Sequence, residues 1–191
     1  IADGPAALVT ERRLSIRALP VDRSQYETVT TLARLTAWLD EARGRGRLCF
    51  DTETDSLDAV RANLVGVALA VEPGRAAYVP LQHVTGGGLF GGGGDLQQIP
   101  LAEAVAALKD VLEDASVLKI GQNLKYDCLV MGRYGVRITP IDDTMLMSYV
   151  LDGGRGSHGM DALSERHLGH TCISFKDVIG KAAVQDKKEE R

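Results

Sequence analysis

The feature that most constrains this chain is an apolar strand that runs directly into two closely spaced carboxylates, in the segment Leu48–Asp55. Side chains alternate between the two faces of a strand, so Asp51 and Glu53 share one face, about 7 Å apart along the backbone. Two such carboxylates repel each other, and shared protons or bound cations relieve that repulsion. Oxygen-only ligands of this kind suit Mg²⁺ or Mn²⁺ rather than zinc. On these two residues alone, an acidic turn after a strand is an equally good interpretation.

A third carboxylate, Asp127, follows in the segment Gly121–Asp127. On a helix, Asp127 lies on the same face as Leu124 and Met131, which makes it part of a core-facing stripe. An unpaired carboxylate on such a stripe is energetically expensive. A core aspartate near an Asp-x-Glu strand end is what a two-metal site requires, so the three carboxylates together favour a metal-dependent catalytic site.

The order of the predicted elements indicates the fold. Strands are predicted over Tyr26–Val29, Arg47–Thr52, Asn63–Val71, Arg75–Leu81, Val117–Ile120 and Arg137–Ile141. Helices are predicted from Thr30 or Thr31 to Gly44 or Gly46, from Pro100 to Leu112, from Gln122 or Asn123 to Arg133, and over Asp143–Leu151 and Met160–Leu168. Short connections make three of the strands an antiparallel meander, and helices then alternate with strands. This pattern predicts an α/β fold, a mixed sheet of the ribonuclease H kind flanked by helices.

The remaining segments carry little pattern. Residues 1–25 are interpreted as a linker or poorly ordered lead-in, residues 26–181 as the folded domain and residues 182–191 as a charged tail. The glycine-rich stretch Gly86–Gly94 lacks the Gly-Lys-Ser/Thr ending of a phosphate-binding loop, so it is interpreted as a mobile loop. Both ends of the chain look cut from something longer.

Charge and cysteine usage exclude several classes of protein. A net charge of −4 argues against a bulk basic nucleic-acid binder, so contact with an anionic substrate has to be local or metal-mediated. The three cysteines, Cys49, Cys128 and Cys172, are scattered and are interpreted as reduced, buried thiols of a cytosolic protein. We expect no membrane partner, since no apolar run approaches spanning length.

Several motifs then resemble one family closely. The segment Phe50–Asp58 resembles the first motif of the proofreading 3′–5′ exonuclease domain of family A DNA polymerases, the group that includes bacterial DNA polymerase I, within the wider DEDD exonucleases. The segment Lys119–Asp127 resembles the second motif, and the match continues through Asp143–Leu146, Met160–Leu163 and Ile173–Gly180. The resemblance runs from about Tyr26 to Lys181. It implies hydrolysis of phosphodiester bonds at DNA 3′ ends with two divalent cations, Mg²⁺ or Mn²⁺.

The resemblance also implies roles for individual residues. Asp51 would bridge both ions, Glu53 would bind the water-activating ion, and Asp127 would hold the second ion, mainly through water. Leu57 would wedge against the terminal base and Phe175 would stack beneath it, although plain core positions are the alternative for both; an exposed Leu57 would favour the wedge. The other positions implied to contact the substrate are Thr52, Gln122, Asn123, Tyr126 and His158.

One part of the family pattern has no match in the sequence. The third motif, Tyr-x-x-x-Asp, does not occur among these 191 residues, which points to truncation, an absent segment or a degenerate domain. We therefore expect these residues to fold but to hydrolyse DNA feebly, with activity restored by a helix that carries the motif. Full activity would instead mean that Asp177, Asp186 or a neighbour supplies the fourth carboxylate.

A ribonuclease D-like exoribonuclease and an inactive single-strand-binding remnant are the alternative functions. The expected partners are a single-stranded DNA 3′ end and a linked polymerase domain, in the bacterial cytoplasm at the nucleoid.

Overall fold

A computed structural model describes residues 4–19, 21–84 and 96–174 of the chain, in two compact units. One unit is Asp22–Gly154, and the other combines Ile1–Val21 with Arg155–Arg191. The helices are α1 (Pro5–Arg17), α2 (Leu32–Arg45), α3 (Leu101–Leu112), α4 (Lys125–Arg133), α5 (Thr144–Asp152) and α6 (Met160–Leu163), which continues as a π-helical turn over Ser164–Leu168. The strands are β1 (Glu27–Thr28), β2 (Arg47–Thr54), β3 (Leu64–Glu72), β4 (Arg75–Pro80), β5 (Leu118–Gly121) and β6 (Ile141–Asp143).

The unit Asp22–Gly154 is built on one six-stranded mixed sheet with the order β1-β4-β3-β2-β5-β6. The strands β2, β3 and β4 form the predicted antiparallel meander. On one side β1 runs parallel to β4, and on the other β5 runs parallel to β2 and β6 parallel to β5. The predicted mixed α/β sheet flanked by helices is therefore confirmed.

The core of this unit explains why β2 alternates as it does. Leu48, Phe50 and Thr52 of β2 are buried, whereas Cys49 and Glu53, which point to the other face, are exposed. Buried side chains of the surrounding helices belong to the same core as Leu48 and Phe50, among them Leu35, Trp38, Leu108, Leu112, Val130 and Met131. The sheet therefore has one fully packed face, and the two carboxylates of β2 belong to the other.

Helix α2 begins and ends as its sequence predicts. The side chain of Thr31 accepts a hydrogen bond from the backbone N–H of Arg34, which is the N-cap arrangement. Gly46 ends the helix with φ 67°, a left-handed conformation that glycine adopts without a Cβ penalty. Because β2 starts at the next residue, this cap sets the entry of the chain into the central strand.

The last strand differs from its prediction over Arg137–Ile141. The structure has a strand only over Ile141–Asp143, because the preceding N–H groups bond elsewhere: Arg137 donates to Glu113 Oε1 at 2.9 Å and Thr139 donates to the carbonyl of Leu112 at 3.0 Å. Pro140 has no N–H to donate to a neighbouring strand. Its carbonyl accepts the N–H of Lys119, and pairing with β5 starts at this bond.

The lead-in and one cysteine also differ from their predictions. The segment 1–25, interpreted from the sequence as a linker or poorly ordered lead-in, contains the helix α1, which starts with a proline at its first turn and has no buried residue. Because no face of α1 is buried, its sequence shows no apolar periodicity.

The cysteines differ in part from the prediction that they are buried. Cys49 is exposed, since it lies on the carboxylate face of β2. Cys128 and Cys172 are partly buried, and all three cysteines are free. The glycine-rich stretch Gly86–Gly94 and the charged tail lie outside the described residues, and no helix in the described ranges is long and apolar enough to cross a membrane.

The buried ammonium of Lys119 ties β5 to the end of α3. Lys119 is fully buried, and its Nζ donates to the carbonyls of Val111, Asp114 and Val117 at 3.3, 2.8 and 2.5 Å. Burial lowers the pKa of this lysine. The three carbonyls satisfy all three donors of the ammonium group, which makes its burial tolerable.

The turn from β5 toward α4 depends on the absence of a side chain at Gly121. A Cβ at this position would lie 2.8 Å from the carbonyl oxygen of Phe50 and 2.5 Å from a methyl group of Leu124. The first of these is backbone of the central strand, which cannot move aside cheaply. The close approach of the β5–α4 turn to β2 therefore requires glycine.

We predict that Gly121→Ala lowers the free energy of unfolding by about 1–3 kcal/mol, because the added methyl overpacks the contact with β2. The matched control is Gly132→Ala on α4, where a Cβ meets nothing within 4 Å. That change should raise the free energy of unfolding by about 0.5–1 kcal/mol, since alanine is the better helix former. Urea unfolding of both variants measures the two effects. Equal stability of the two variants would contradict the close approach.

Candidate active site

Strand β2 and helix α4 contribute the three carboxylates that the sequence singles out. Asp51 is half-buried and Glu53 exposed on one face of the strand, and Asp127, which is 3% exposed, comes from α4. Burial raises the pKa of Asp51 to about 6, with further contributions from the negative charges of Asp127 and Glu53. Burial and the negative charges of the other two carboxylates therefore make ionisation of Asp51 more costly, and the roles predicted for the three residues stay predictions.

Asp127 is held in place by the backbone and side chain of one residue of β2. The N–H and the hydroxyl of Thr52 donate to Asp127 Oδ1 at 2.8 and 2.7 Å. The pairing of β5 with β2 ends at Cys49. Beyond that residue, Asp127 of α4 accepts the N–H of Thr52. Burial raises the pKa of Asp127, while the two hydrogen bonds from Thr52 lower it.

The start of α4 is fixed by a second aspartate that the sequence reasoning did not single out. Asp143, which is 8% exposed, accepts the N–H groups of Asn123 and Leu124 at 3.1 and 2.9 Å. It also accepts the N–H groups of Met145 and Leu146 as the N-cap of α5. One carboxylate therefore binds the first turns of two helices. The signal in the sequence is an aspartate placed directly before an apolar helix.

Thr144, the residue after Asp143, makes two more hydrogen bonds to the turn before α4. The hydroxyl of Thr144 is 3.0 Å from the carbonyl oxygen of Gly121 and 2.5 Å from Gln122 Oε1. Asn123 adopts φ 58°, a left-handed conformation that asparagine tolerates better than most residues. The turn that precedes Asp127 is consequently fixed at several points, which limits how far the carboxylate can move.

A braced loop carries Leu57 next to the carboxylates. The hydroxyl of Tyr126 bonds to the carbonyl of Ser56 and to the hydroxyl of Thr54, each at 2.5 Å. Asp55 closes the base of the loop by accepting the N–H and the side-chain amide of Asn63 at 2.7 and 2.8 Å. Leu57 itself is 97% exposed. This exposure is incompatible with a plain core position and favours the predicted wedge.

The predicted substrate-contacting residues lie in different places. Asn123 is exposed and Gln122 is partly buried at the start of α4, while the hydroxyl of Thr52 is engaged with Asp127; their contacts with substrate stay predictions. His158 belongs to the other unit and is 7% exposed, so little of its ring surface is open to a ligand. Phe175 lies outside the described residues.

The fit of this site to a metal ion depends on its donor chemistry. The three groups offer only carboxylate oxygens, which are the donors that Mg²⁺ and Mn²⁺ prefer, and a cation would relieve the repulsion that raises the pKa of Asp51. Among the described residues, no group of three or more His, Cys, Asp or Glu side chains lies close enough together to hold an ion. The donor atoms of the described carboxylates therefore suit a hard cation, but these residues alone do not form a complete set of ligands for one.

Comparison with known proteins agrees with the resemblance seen in the motifs. The 3′–5′ exonuclease family matches residues 26–190. DNA polymerase I of Rhizobium leguminosarum is 51% identical over 189 residues, which cover 94% of this chain and 19% of that protein. DNA polymerase I of Pseudomonas aeruginosa is 42% identical over 166 residues, which cover 84% of this chain and 17% of that protein. The chain thus spans less than a fifth of the length of these relatives.

Solved structures agree with the fold. The crystal structure of Escherichia coli RNase D, an exoribonuclease involved in structured RNA processing, superposes with a TM-score of 0.58 and 17% identity. The match covers 86% of this chain and 44% of that one. At this identity the likeness concerns the arrangement of the sheet and helices alone, and it agrees with the predicted ribonuclease H-like architecture.

We predict that Asp51→Asn stabilises the metal-free protein above pH 6 and has little effect below pH 4. The pKa of Asp51 rises from 3.8 to about 6 on folding, so the folded chain holds the proton more tightly. The free energy of unfolding therefore falls as pH rises from about 4 to about 6, and asparagine avoids that loss. With EDTA present, the melting temperature at pH 8 should rise by about 2–4 °C.

The control for this effect is Asp110→Asn, at an exposed position of α3. It should leave the melting temperature unchanged at both pH values. A stabilisation by Asp51→Asn that is as large at pH 4 as at pH 8 would contradict the burial of an ionised carboxylate as its cause.

Proposed function

Since this chain belongs to the 3′–5′ exonuclease family, we propose that it hydrolyses phosphodiester bonds at single-stranded DNA 3′ ends as the proofreading domain of a DNA polymerase I. The reaction class follows from the family, and the DNA substrate and the proofreading role are proposed from the polymerase relatives. The observation that carries the proposal is that the buried carboxylate of Asp127 is held by Thr52, the residue of β2 that lies between Asp51 and Glu53.

Each of the three carboxylates has a distinct part in this proposal. Two divalent cations, Mg²⁺ or Mn²⁺, would supply activation of the attacking water and stabilisation of the leaving 3′ oxygen when bound. Asp51, which is half-buried and feels the charges of both other carboxylates, is proposed to bind both ions. Glu53, which is exposed, is proposed to bind the ion that activates water. Asp127 keeps Oδ1 on Thr52, so its Oδ2 is the oxygen left to hold an ion.

The DNA strand would be held by residues around the same site. Leu57 stands on its braced loop with nearly its whole side chain exposed, as a wedge against the terminal base requires. Asn123 and Gln122 offer amide groups at the start of α4, and we propose that they contact the strand together with Tyr126. Stacking and phosphate contacts of this kind grip a single strand without sequence preference. Phe175 and His158 are proposed as further contacts on the family resemblance alone.

We also propose that the chain acts beside a polymerase domain in the same polypeptide. The relatives in which the domain occurs are DNA polymerases I, and the matched region is 19% and 17% of their lengths. A linked polymerase would deliver a mispaired 3′ end to the carboxylates directly. Such a protein would work in the bacterial cytoplasm at the nucleoid.

We predict that Asp51→Ala abolishes metal-dependent hydrolysis of a 5′-labelled single-stranded DNA in Mn²⁺. The residue is proposed to bind both ions, so its removal eliminates both catalytic roles. The rate should fall to less than about a tenth of the wild-type rate, followed on a denaturing gel over long incubations to register slow turnover.

The control for this experiment is the melting temperature of Asp51→Ala in EDTA, which should not fall, because removal of one of several clustered carboxylates relieves repulsion. An RNA strand of the same sequence, assayed in parallel, distinguishes a deoxyribonuclease from an exoribonuclease. Strand binding without any hydrolysis in Mn²⁺ would identify the chain as a single-strand-binding domain and would contradict the proposed reaction.

We predict that Leu57→Ala weakens the binding of a fluorescently labelled single-stranded DNA without lowering stability. The apolar contact with one base is worth about 1–3 kcal/mol, which corresponds to a loss in affinity of about 5-fold or more. Fluorescence anisotropy in Ca²⁺ measures the affinity. Leu14→Ala, at a position of α1 that is 64% exposed, is the matched control and should bind like the wild type. Unfolding of Leu57→Ala would instead show that the side chain supports the fold.

A further inference from the structure

The carboxylate face of the sheet extends across two more strands to a tyrosine. In the register of the meander, Glu53 lies opposite Gly66, and Asp51 lies opposite Ala68, which in turn lies opposite Tyr78 on β4. Residues directly opposite each other point to the same face of a sheet. Tyr78 therefore shares the face that carries Asp51 and Glu53, with only Gly66 and Ala68 of β3 between them.

Gly66 leaves the space that the end of the phenol ring fills. A Cβ on Gly66 would lie 2.2 Å from the hydroxyl oxygen of Tyr78 and 2.6 Å from the ring carbon that carries it. The hydroxyl thus stands almost where the side chain of Gly66 would begin. Opposed Cβ positions on neighbouring strands are about 4.5–5.5 Å apart. The Tyr78 hydroxyl consequently lies beside Gly66, the residue of β3 that is opposite Glu53.

The hydroxyl is also held from its outer side. It is 2.6 Å from Nε2 of His83, and the two rings pack edge to face with centroids 5.7 Å apart. His83 is itself fixed by Gln98, which accepts the N–H of His83 at 2.7 Å and donates to its carbonyl at 2.9 Å. The phenol of Tyr78 is therefore held from its outer side by a residue that is itself fixed.

Glu53 lacks a comparable support. Within the described ranges, its carboxylate makes no hydrogen bond or ion pair, whereas Asp127 has two bonds from Thr52. The charge of Glu53 reaches the phenol, since it raises the pKa of Tyr78 in addition to the larger effect of burial. The two groups therefore face each other across Gly66.

We propose that Tyr78 is a positioning residue for Glu53, with Nε2–H of His83 donating to the phenol oxygen and the phenol O–H donating to the Glu53 carboxylate. A phenol oxygen can accept one bond while its proton is donated in another, so both contacts form together. The orientation of Glu53 during hydrolysis then depends on a hydroxyl that belongs to a different strand. This inference rests on the proposed hydrolytic function of the site.

The experiment compares Tyr78→Phe and Gly66→Ala with the wild type in the Mn²⁺ hydrolysis assay. Phenylalanine removes only the hydroxyl, and the alanine methyl displaces the phenol from its position. Each variant should lower kcat by about 10-fold or more with KM within about 2-fold, because misplacement of a catalytic group affects the reacting geometry rather than strand affinity. The double variant should lose no more than the larger single loss, since both changes disrupt one contact.

Three controls separate positioning from a structural effect. Tyr26→Phe removes a hydroxyl from a tyrosine that is 47% exposed beside β1 and should keep wild-type kcat. His83→Gln places a donor near the position of Nε2 and should retain more activity than His83→Leu. Isothermal titration with Mn²⁺ alone should show binding by Tyr78→Phe weakened by about 3-fold or more, with the melting temperature in EDTA unchanged.

The outcomes distinguish this inference from the proposed function. An active wild type with Tyr78→Phe at more than half of its kcat and equal Mn²⁺ affinity overturns the role of Tyr78 and leaves the exonuclease assignment standing. A kcat loss in Tyr78→Phe that is accompanied by an equal loss in melting temperature also overturns it. A wild type that neither binds Mn²⁺ nor hydrolyses DNA overturns the proposed function, and the role of Tyr78 with it.

Discussion

The hydrogen bonds from Thr52 to Asp127 join helix α4 to strand β2 at the point where β5 has stopped pairing. A central strand that lost its neighbour there would have an unsatisfied backbone N–H, and a buried carboxylate without donors would be costly. The carboxylate of Asp127 accepts the N–H of Thr52, and Thr52 in turn supplies the donors that the buried carboxylate needs. The position of every other element of the site, from the turn at Gly121 to the loop that carries Leu57, is arranged around this junction.

The parts of the site that were predictable from the sequence are those that depend on local periodicity. The alternation of β2 predicts that Asp51 and Glu53 share a face, and the spacing of Leu124 and Met131 predicts that Asp127 points inward. The cap at Thr31 follows in the same way from a helix signal within four residues. These predictions succeed because the relevant geometry is set by the backbone of a single element.

The remaining features depend on contacts between distant parts of the chain, which periodicity does not record. Thr52 and Asp127 are 75 residues apart, and nothing in either segment announces that one donates twice to the other. The start of β6 is set by bonds from Arg137 and Thr139 to the end of α3. Lys119 is buried on three carbonyls, a contact that the strand pattern around it does not record. The role proposed for Tyr78 likewise depends on Gly66 lying opposite Glu53 in the sheet.

The hydroxyl of Tyr126 bonds to the loop before Leu57, and the next residue along α4 is Asp127. One helical turn therefore carries both the brace of the loop and a carboxylate of the candidate site. Under the proposed function, a DNA strand bound against Leu57 would act on the same turn that presents Asp127. By thermodynamic reciprocity, whatever factor strand binding adds to cation affinity, cation binding must add to strand affinity. The brace between Tyr126 and the loop therefore offers a route by which the two proposed ligands would affect each other's binding.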